Sequence, residues 1–520
     1  MGIARTRAIA LVGIEAVVVD VEGSITDGTP GLHLIGLSDT VRNEIRDRVR
    51  AAIINSDQQF PHRHIAVSLF PVSLPKQGSV FDLAIAVAVL AASGTIPAQA
   101  CASMALIGEL GLDGQVRPVH GVLPAVLAAV DAGVSVVVVP QANAAEAALV
   151  PGIDVIGVTS LGGLIAQLRG MSPPDEGGDD PHDSYYHPTA HPAIGLPGDL
   201  DLAQVRGQAG GREAIEVAAA GGHHLALVGP VGTGAVMLAE RLPGLLPDLD
   251  HDTALEVTAL HSLAGLLSPD KPLIVRPPFR APHHTDPRGA VLGARTSRAV
   301  RPGAVALAHR GVLFLDAAPE FSVQTLKSLA RPLEDGTVTV SGAEGIVTFP
   351  ARPIAVLAAH PCPCGAPGSQ ACMCPPGVRQ RYLARLPRSL LDRVGIKVRL
   401  TPASPTELRR DLAAAESSRR VADRVQAARD RAARRLAGTP WRTNAEIPGP
   451  ELRRRFTPPA QATAILDAAL AGGQLTPRGL DQVLRLAWTL ADLAGSTAPS
   501  PEDITIAVRL WDGFSEPPNS

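Results

Sequence analysis

Leu225-Ala-Leu-Val-Gly-Pro-Val-Gly-Thr-Gly-Ala-Val236 decides the fold. An apolar run feeds a glycine-rich turn, and Met237, Leu238 and Leu242 follow at helical spacing. Glycines at 229, 232 and 234 let successive backbone N–H groups curl around a phosphate at a helix N-terminus, where the dipole also favours negative charge. Strand, phosphate loop and helix in that order open an α/β nucleotide-binding module. The predicted nucleotide-binding residues are therefore Gly229, Pro230, Val231, Gly232, Thr233, Gly234, Ala235 and Val236.

The side chains break this pattern. A working loop follows its last glycine with Lys, a point charge on the β/γ-phosphates, and with Ser or Thr, whose hydroxyl binds Mg²⁺. Here Ala235 and Val236 hold those positions. Charge-assisted hydrogen bonds of roughly 1.5–3 kcal/mol each are lost, so ATP and Mg²⁺ are expected as weakened cofactors. A second apolar run, Gly311-Val-Leu-Phe-Leu-Asp316, ends in a carboxylate of the kind that holds Mg²⁺. The following position, where a Glu would polarise the attacking water, is Ala317. General-base assistance is worth ~10²–10⁴ in rate. Glu320 stands three residues on, beyond Pro319.

Around these strands stand Arg280-Ala-Pro-His-His284, Arg301-Pro-Gly303, Arg331-Pro-Leu-Glu-Asp-Gly336, Pro361-Cys-Pro-Cys-Gly365 and Leu390-Leu-Asp-Arg393. Together they resemble the magnesium-chelatase-like AAA+ proteins of the YifB/ComM family, over about residues 8 to 510. The resemblance implies a hexameric ATPase, with ComM members acting as DNA branch-migration helicases. It makes Asp316 a catalytic carboxylate, Arg393 the arginine finger reaching a neighbour's nucleotide, and Arg478, in Leu475-Thr-Pro-Arg-Gly479, the sensor-2 arginine. It also places His360 at the sensor-1 position, where the family has Asn, and Ala304 where it has Glu. With Ala235, Val236 and Ala317, five polar positions around one nucleotide are altered while the apolar frame remains.

A chain of 520 residues with net charge −3 carries no global nucleic-acid footprint and has room for about three domains. Four Lys against 43 Arg points to high-GC bacterial coding. The longest apolar run, Leu83 to Ala92, is too short to span a bilayer, and a cytoplasmic protein is expected. Charge is uneven: residues 379–455 hold 19 Arg and one Lys against eight acidic residues. Such a segment is either a solvated helical face or an electrostatic track for a DNA backbone.

The expected architecture is α/β. A Lon-protease-like domain spans 1–170, a Pro-, Gly- and acid-rich linker 171–195, a P-loop AAA+ module 196–400 and a helical lid 401–520. Strands at Ala16–Val21, His64–Leu69 and Val134–Val139 alternate with helices at Thr40–Ile54, Asp82–Ala92 and Leu123–Ala132. Leu74-Pro-Lys-Gln-Gly-Ser79 and Leu110-Gly-Leu-Asp-Gly-Gln-Val-Arg-Pro-Val119 carry the likeness to Lon. Where Lon has its catalytic serine and lysine this chain has Val80 and Leu123; Ser79 and Lys76 are near in sequence, but adjacency makes no dyad. Docking or assembly is the expected role of this domain.

Cys362-Pro-Cys364 and Cys372-Met-Cys374 can close a tetrahedral Zn²⁺ site, with His360 as an alternative ligand; reduced thiols on an ordinary loop are the other reading. Cys101 reads as a small buried side chain. His283, His284 and His309 belong, by resemblance, to the family's characteristic insert, with a structural role at a pore or subunit interface. Ala-, Leu- and Arg-rich helices are predicted over Glu407–Ala415, Ser417–Ala437, Pro459–Ala471, Arg478–Ala494 and Pro501–Trp511, a bundle that would bring Arg478 to the nucleotide. Two functions compete most closely: a DNA-directed AAA+ ATPase weak or inactive in hydrolysis, and a silent scaffold or regulatory subunit beside an active AAA+ paralogue. A metal-chelatase subunit is third. Expected partners are a homo- or hetero-oligomeric ring and DNA, with no membrane.

Overall fold

The computed structural model describes residues 2–72, 74, 76, 78–172, 200–295, 300–342, 345–366 and 372–514. From residue 173 onward the expected linker lies outside them. The first sheet contains β1 (Gly2–Val12), β2 (Glu15–Thr26), β3 (Gly31–Ile35), β4 (His64–Phe70) and β5 (Met104–Leu106). A two-stranded ribbon, β6 (Glu109–Leu110) with β7 (Val116–Arg117), precedes β8 (Val136–Pro140) and β9 (Asp154–Val158). The sheet order is β3-β4-β2-β1-β5-β8-β9, with antiparallel pairing at β1/β2 and β2/β4 and parallel pairing from β1 to β9.

The helix Asp82–Ala92 is buried along its whole length because, after Asp82, it is apolar on every face. Gly23 of β2 lets it approach: a Cβ there would lie 2.9 Å from the Ala88 carbonyl oxygen. Asp82 itself is buried and takes a two-pronged contact from Arg48, at 2.7 and 3.2 Å. Burial pushes its carboxyl up to about 7, against the opposing pull of Arg48.

The second sheet is wholly parallel. Its elements, in chain order, are β10 (Leu225–Val228), β11 (Phe279–Arg280), a small pair β12 (Gly293–Arg295) and β13 (Val300–Pro302), β14 (Val312–Leu315), the hairpin β15 (Thr337–Gly342) and β16 (Gly345–Pro350), then β17 (Ile354–Ala359) and β18 (Ile396–Arg399). Of these, β11-β14-β17-β10-β18 form the sheet in that order. The order reverses at β10, the place where open parallel sheets leave a crevice at the strand ends.

Alternation along β10 explains both faces of this sheet. Leu225 and Leu227 enter one core together with Val421, Val425, Leu486 and Trp488 of the C-terminal helices. Ala226 and Val228 enter the opposite core with Leu313, Leu315 and Phe349. The C-terminal helices, including Ser418–Arg435 and Pro477–Ala494, therefore share a continuous core with the sheet. The first sheet's layer also docks here: Ala259, on helix His251–Leu263, packs with Val122 and Val126. Glu146 accepts from the Leu123 N–H at 2.8 Å and from the Ser262 hydroxyl.

Candidate functional site

The phosphate loop leaves β10 at the reversal point. Gly232 and Gly234 take φ of +85° and +88°, a conformation that side chains with a Cβ rarely adopt, and Gly234 caps the helix Ala235–Arg241. Gly229 is needed for space, since a Cβ there would lie 2.8 Å from the Leu400 carbonyl oxygen. The backbone half of the motif is built as its glycines demand.

ATP and Mg²⁺ are what such a loop implies, and the residues fit them only in part. Turned backbone at a helix start suits a phosphate. The side chains do not suit a magnesium triphosphate: Thr233 is buried and donates its hydroxyl back to the Pro230 carbonyl at 2.8 Å. At the mouth, Val231, Val236 and Met237 are 50%, 40% and 38% exposed. Apolar groups thus hold the surface where cationic and hydroxyl groups would meet a triphosphate.

At the end of β14, Asp316 is exposed and accepts from the Ala317 N–H at 2.9 Å. Ala317 has left-handed φ of +47°, unusual for a residue with a Cβ, so the turn persists without the Glu. Glu320 does not replace it. Its carboxylate is held by Arg385 at 3.3 Å and hydrogen-bonded by Tyr382. At the end of β17, His360 Nδ1 donates to the Gly229 carbonyl at 3.1 Å, fastening the sensor position to the loop instead of presenting it to a phosphate.

The two arginines lie elsewhere. His224, immediately before β10, bonds the Leu333 carbonyl through Nε2 at 3.4 Å, and the adjacent Glu334 takes both Arg393 and Arg478 on its carboxylate. Asp316 and the loop sit at the strand ends, whereas Arg393, Arg478 and Glu334 sit at the strand starts, roughly 13 Å away along four residues of β10. Within this chain, Arg478 stands on Glu334, away from the loop. The C-terminal helices are fixed in the sheet's core and hold Arg478 at the opposite edge. A cavity of about 740 Å³ opens there, lined by His224, Glu334, Arg393, Arg442, Arg478 and Arg485 among others. Burial, reinforced by Arg393, drives His224 down to about 4, and burial takes His223 to about 3. Both rings stand neutral against the arginines. Nothing local in Arg331-Pro-Leu-Glu-Asp-Gly336 marks Glu334 as the carboxylate on which two distant arginines meet.

His309 is corrected as well. It is buried, accepts from the Arg352 N–H at 3.0 Å and donates to Glu256 at 3.1 Å, which makes it a satisfied core histidine and not a pore or interface residue. His283 remains exposed, its ring 4.1 Å from that of His284. Much of the positive charge over 379–455 is internally paired: Arg424 with Glu216 and Glu416, Arg435 with Asp492, Arg453 with Asp481 and Arg454 with Glu451.

In the first sheet's layer, Ser79 donates to Glu109 and Lys76 to the Pro71 and Leu74 carbonyls, while Leu123 is buried. Ser79 and Lys76 thus bond elsewhere than to each other. Cys101 is buried, as expected. The sulfurs of Cys362, Cys364, Cys372 and Cys374 lie within 4.8 Å of one another and could hold a metal ion. No helix among the described residues is long and apolar enough to cross a membrane.

Comparison with known proteins agrees with this frame. Family models described as subunit ChlI of magnesium chelatase match residues 21–143 and 201–408, and the model of its C-terminal part matches 415–510. An uncharacterised protein of Mycobacterium tuberculosis is 47% identical over 98% of this chain and 99% of its own length. YifB of Escherichia coli is 36% identical over 98% and 96%, and the competence protein ComM of Haemophilus influenzae 34% over 95% and 94%. A stretch of 170 residues is also 29% identical to the Lon protease of Mycolicibacterium smegmatis, covering 30% of this chain and 21% of that protein. With a Lon-like layer, a parallel AAA+ sheet reversing at its phosphate loop and a helical C-terminal part, the chain belongs to the magnesium-chelatase-like family of YifB and ComM.

Proposed function

We propose that this chain is a ring-forming AAA+ subunit, related to the ComM branch-migration helicases, that is weak or inactive in ATP hydrolysis. The observation that carries the reading is the loop: two left-handed glycines shape a phosphate cradle, and the helix beyond opens with Ala235, exposed Val236 and exposed Met237. Phosphoryl transfer rests on positioning and charge neutralisation, and the groups for both are replaced. The proposed division is a Lon-like domain over 1–170, a linker over 171–195, the AAA+ module over 196–400 and helices over 401–520, in a cytoplasmic protein. Calorimetry with Mg·ATP and a steady-state ATPase assay with and without DNA test the reading. Negligible turnover is expected; turnover near ~1 s⁻¹, ordinary for phosphoryl-transfer enzymes, that disappears in Asp316→Ala would refute it.

A second reading, a silent or regulatory subunit beside an active AAA+ paralogue, is favoured by one observation. Arg393 and Arg478 are paired with Glu334 at the strand-start edge, away from this chain's own loop, which supports a role toward a neighbour's nucleotide. Mixing the chain with such a paralogue and following its ATPase separates the two readings: a regulatory subunit changes that turnover, an independent weak motor does not.

A further inference from the structure

The loop after β17 holds four thiols in an arrangement that burial does not explain. Cys362 is buried, Cys372 and Cys374 are half-buried, and Cys364 is exposed. Between the last pair, Met373 is 92% exposed. In an extended Cys-Met-Cys segment the flanking side chains share a side and the central one faces away. Had apolar burial organised this loop, the thioether would be the group turned inward. Instead the thiols turn in and the larger apolar side chain faces water.

The thiols converge on a point. Cys362 lies 2.9 Å from Cys364 and 3.2 Å from Cys372, sulfur to sulfur, and Cys364 lies 3.5 Å from Cys372; all four sulfurs fall within 4.8 Å. Tetrahedral Zn²⁺ with Zn–S bonds of about 2.3 Å spaces its sulfurs about 3.8 Å apart, within that spread. Four soft thiolates select zinc or iron. A single cluster this tight suits one ion, because a two-iron centre draws its cysteine pairs apart. Four protein ligands leave no open position, so the site is structural and not catalytic.

Position gives the site its consequence. Gly365, with φ of +61°, turns the chain between the two Cys-x-Cys segments, and its N–H donates to the Cys362 carbonyl at 3.3 Å. A Cβ on Gly365 would come within 3.2 Å of Val231 Cγ2 in the phosphate loop. Two residues before Cys362, His360 is bonded to Gly229. The cysteine loop and the residue leading into it therefore lie against the first half of the phosphate loop, at Val231 and Gly229.

We propose that Cys362, Cys364, Cys372 and Cys374 form a closed tetrathiolate Zn²⁺ site that clamps residues 361–366 onto the phosphate loop and fixes its backbone. This does not rest on ATP hydrolysis, and it is tested without nucleotide. The full chain, purified under reducing conditions, is expected to carry one zinc per chain by plasma mass spectrometry. Cys372→Ser and Cys374→Ser should each lose it, and Cys101→Ala should keep it. Replacement by Co²⁺ in the unaltered chain, which avoids any folding defect of the serine variants, should give the visible absorption of a tetrahedral thiolate centre. Stripping zinc with a chelator should speed amide hydrogen exchange over 229–236 by about tenfold or more as local opening becomes easier. Metal-free protein, iron in place of zinc, or zinc that survives both serine changes overturns the site. Unchanged exchange in the loop overturns the clamp.

Discussion

At the strand-end edge of the second sheet the phosphate loop keeps its glycine conformations, yet Ala235, Val236 and Ala317 stand where charge and hydroxyl are required, and His360 is tied to Gly229. At the strand-start edge Arg393 and Arg478 meet on Glu334 beside a cavity rich in arginine. In an AAA+ ring a nucleotide lies between subunits, held by the loop of one and met by arginines of the next. Backbone geometry and side-chain chemistry are therefore separable here. On the proposed reading, the half of the site that would receive a phosphate from its own chain lacks the charge, and the half that would reach a neighbour's phosphate keeps it.

The sharpest way to break this contrast is to restore the loop and then remove the arginine. In a chain carrying Ala235→Lys, Val236→Thr and Ala317→Glu, Arg393→Ala is expected to lower ATPase turnover by ~10³-fold or more, the scale of an arginine finger. A repaired chain indifferent to Arg393→Ala would leave that residue as no more than an ion-pair partner of Glu334.

The repair itself comes next in size. Lys at 235 and Thr at 236 should restore Mg·ATP binding in calorimetry, and adding Ala317→Glu should raise turnover by ~10²–10⁴, the range of general-base assistance. Ala317 already holds φ of +47°, so Glu inherits a turn that exists. A folded double variant that fails to bind ATP would show that the apolar mouth at Val231 and Met237 excludes the nucleotide by itself.

These expectations rest on features unequally legible in the sequence. Strand, loop and helix at 225–241 could be read because glycine spacing and apolar runs are local, and Asp82–Ala92 is helical between the predicted bounds. The long strand Gly2–Val12 escaped notice because its pairing partners are set by the sheet and not by its own pattern. Helix Gly449–Arg455 was hidden by the prolines and glycines at its start, which suit a first turn as well as a loop. The meeting of Arg393, Arg478 and Glu334 joins residues up to 144 positions apart, and no spacing rule reveals that. His309 was misplaced because its hydrogen-bond partners, Glu256 and the Arg352 amide, are remote in sequence.

Acid should act on the strand-start edge. His223 and His224 are buried there with pKa values lowered to about 3 and about 4, against about 6.5 in an unfolded chain. Between those limits the unfolded state binds more protons, so stability is full above pH ~6.5 and declines as pH falls toward ~4, by about 3 kcal/mol for each ring. Denaturant titrations followed by tryptophan fluorescence should show this fall, and His224→Gln should make it shallower. An equal slope in that variant would assign the acid sensitivity to other groups, among them buried His223 and His261, both lowered to about 3.

The smallest expected effect concerns DNA. If the positive segment 379–455 tracks a phosphate backbone, each contact contributes about −0.9 to the slope of log K against log salt. Neutralising Arg453, Arg454 and Arg455 together would then remove two to three units only if all three were available. Arg453 is engaged by Asp481 and Arg454 by Glu451, whereas Arg455 is exposed, with its guanidinium 5.5 Å from the Phe456 ring centroid. A surface ion pair is worth ~0–1 kcal/mol, too little to keep these arginines from a DNA phosphate outright but enough to weaken the gain from rearranging. The triple change is therefore expected to reduce the slope by about one unit in gel-shift titrations at several salt concentrations. A reduction near three units would show that the pairs break on DNA. No reduction would place the DNA contact elsewhere, and no binding at low salt would leave both edges of the sheet to protein neighbours.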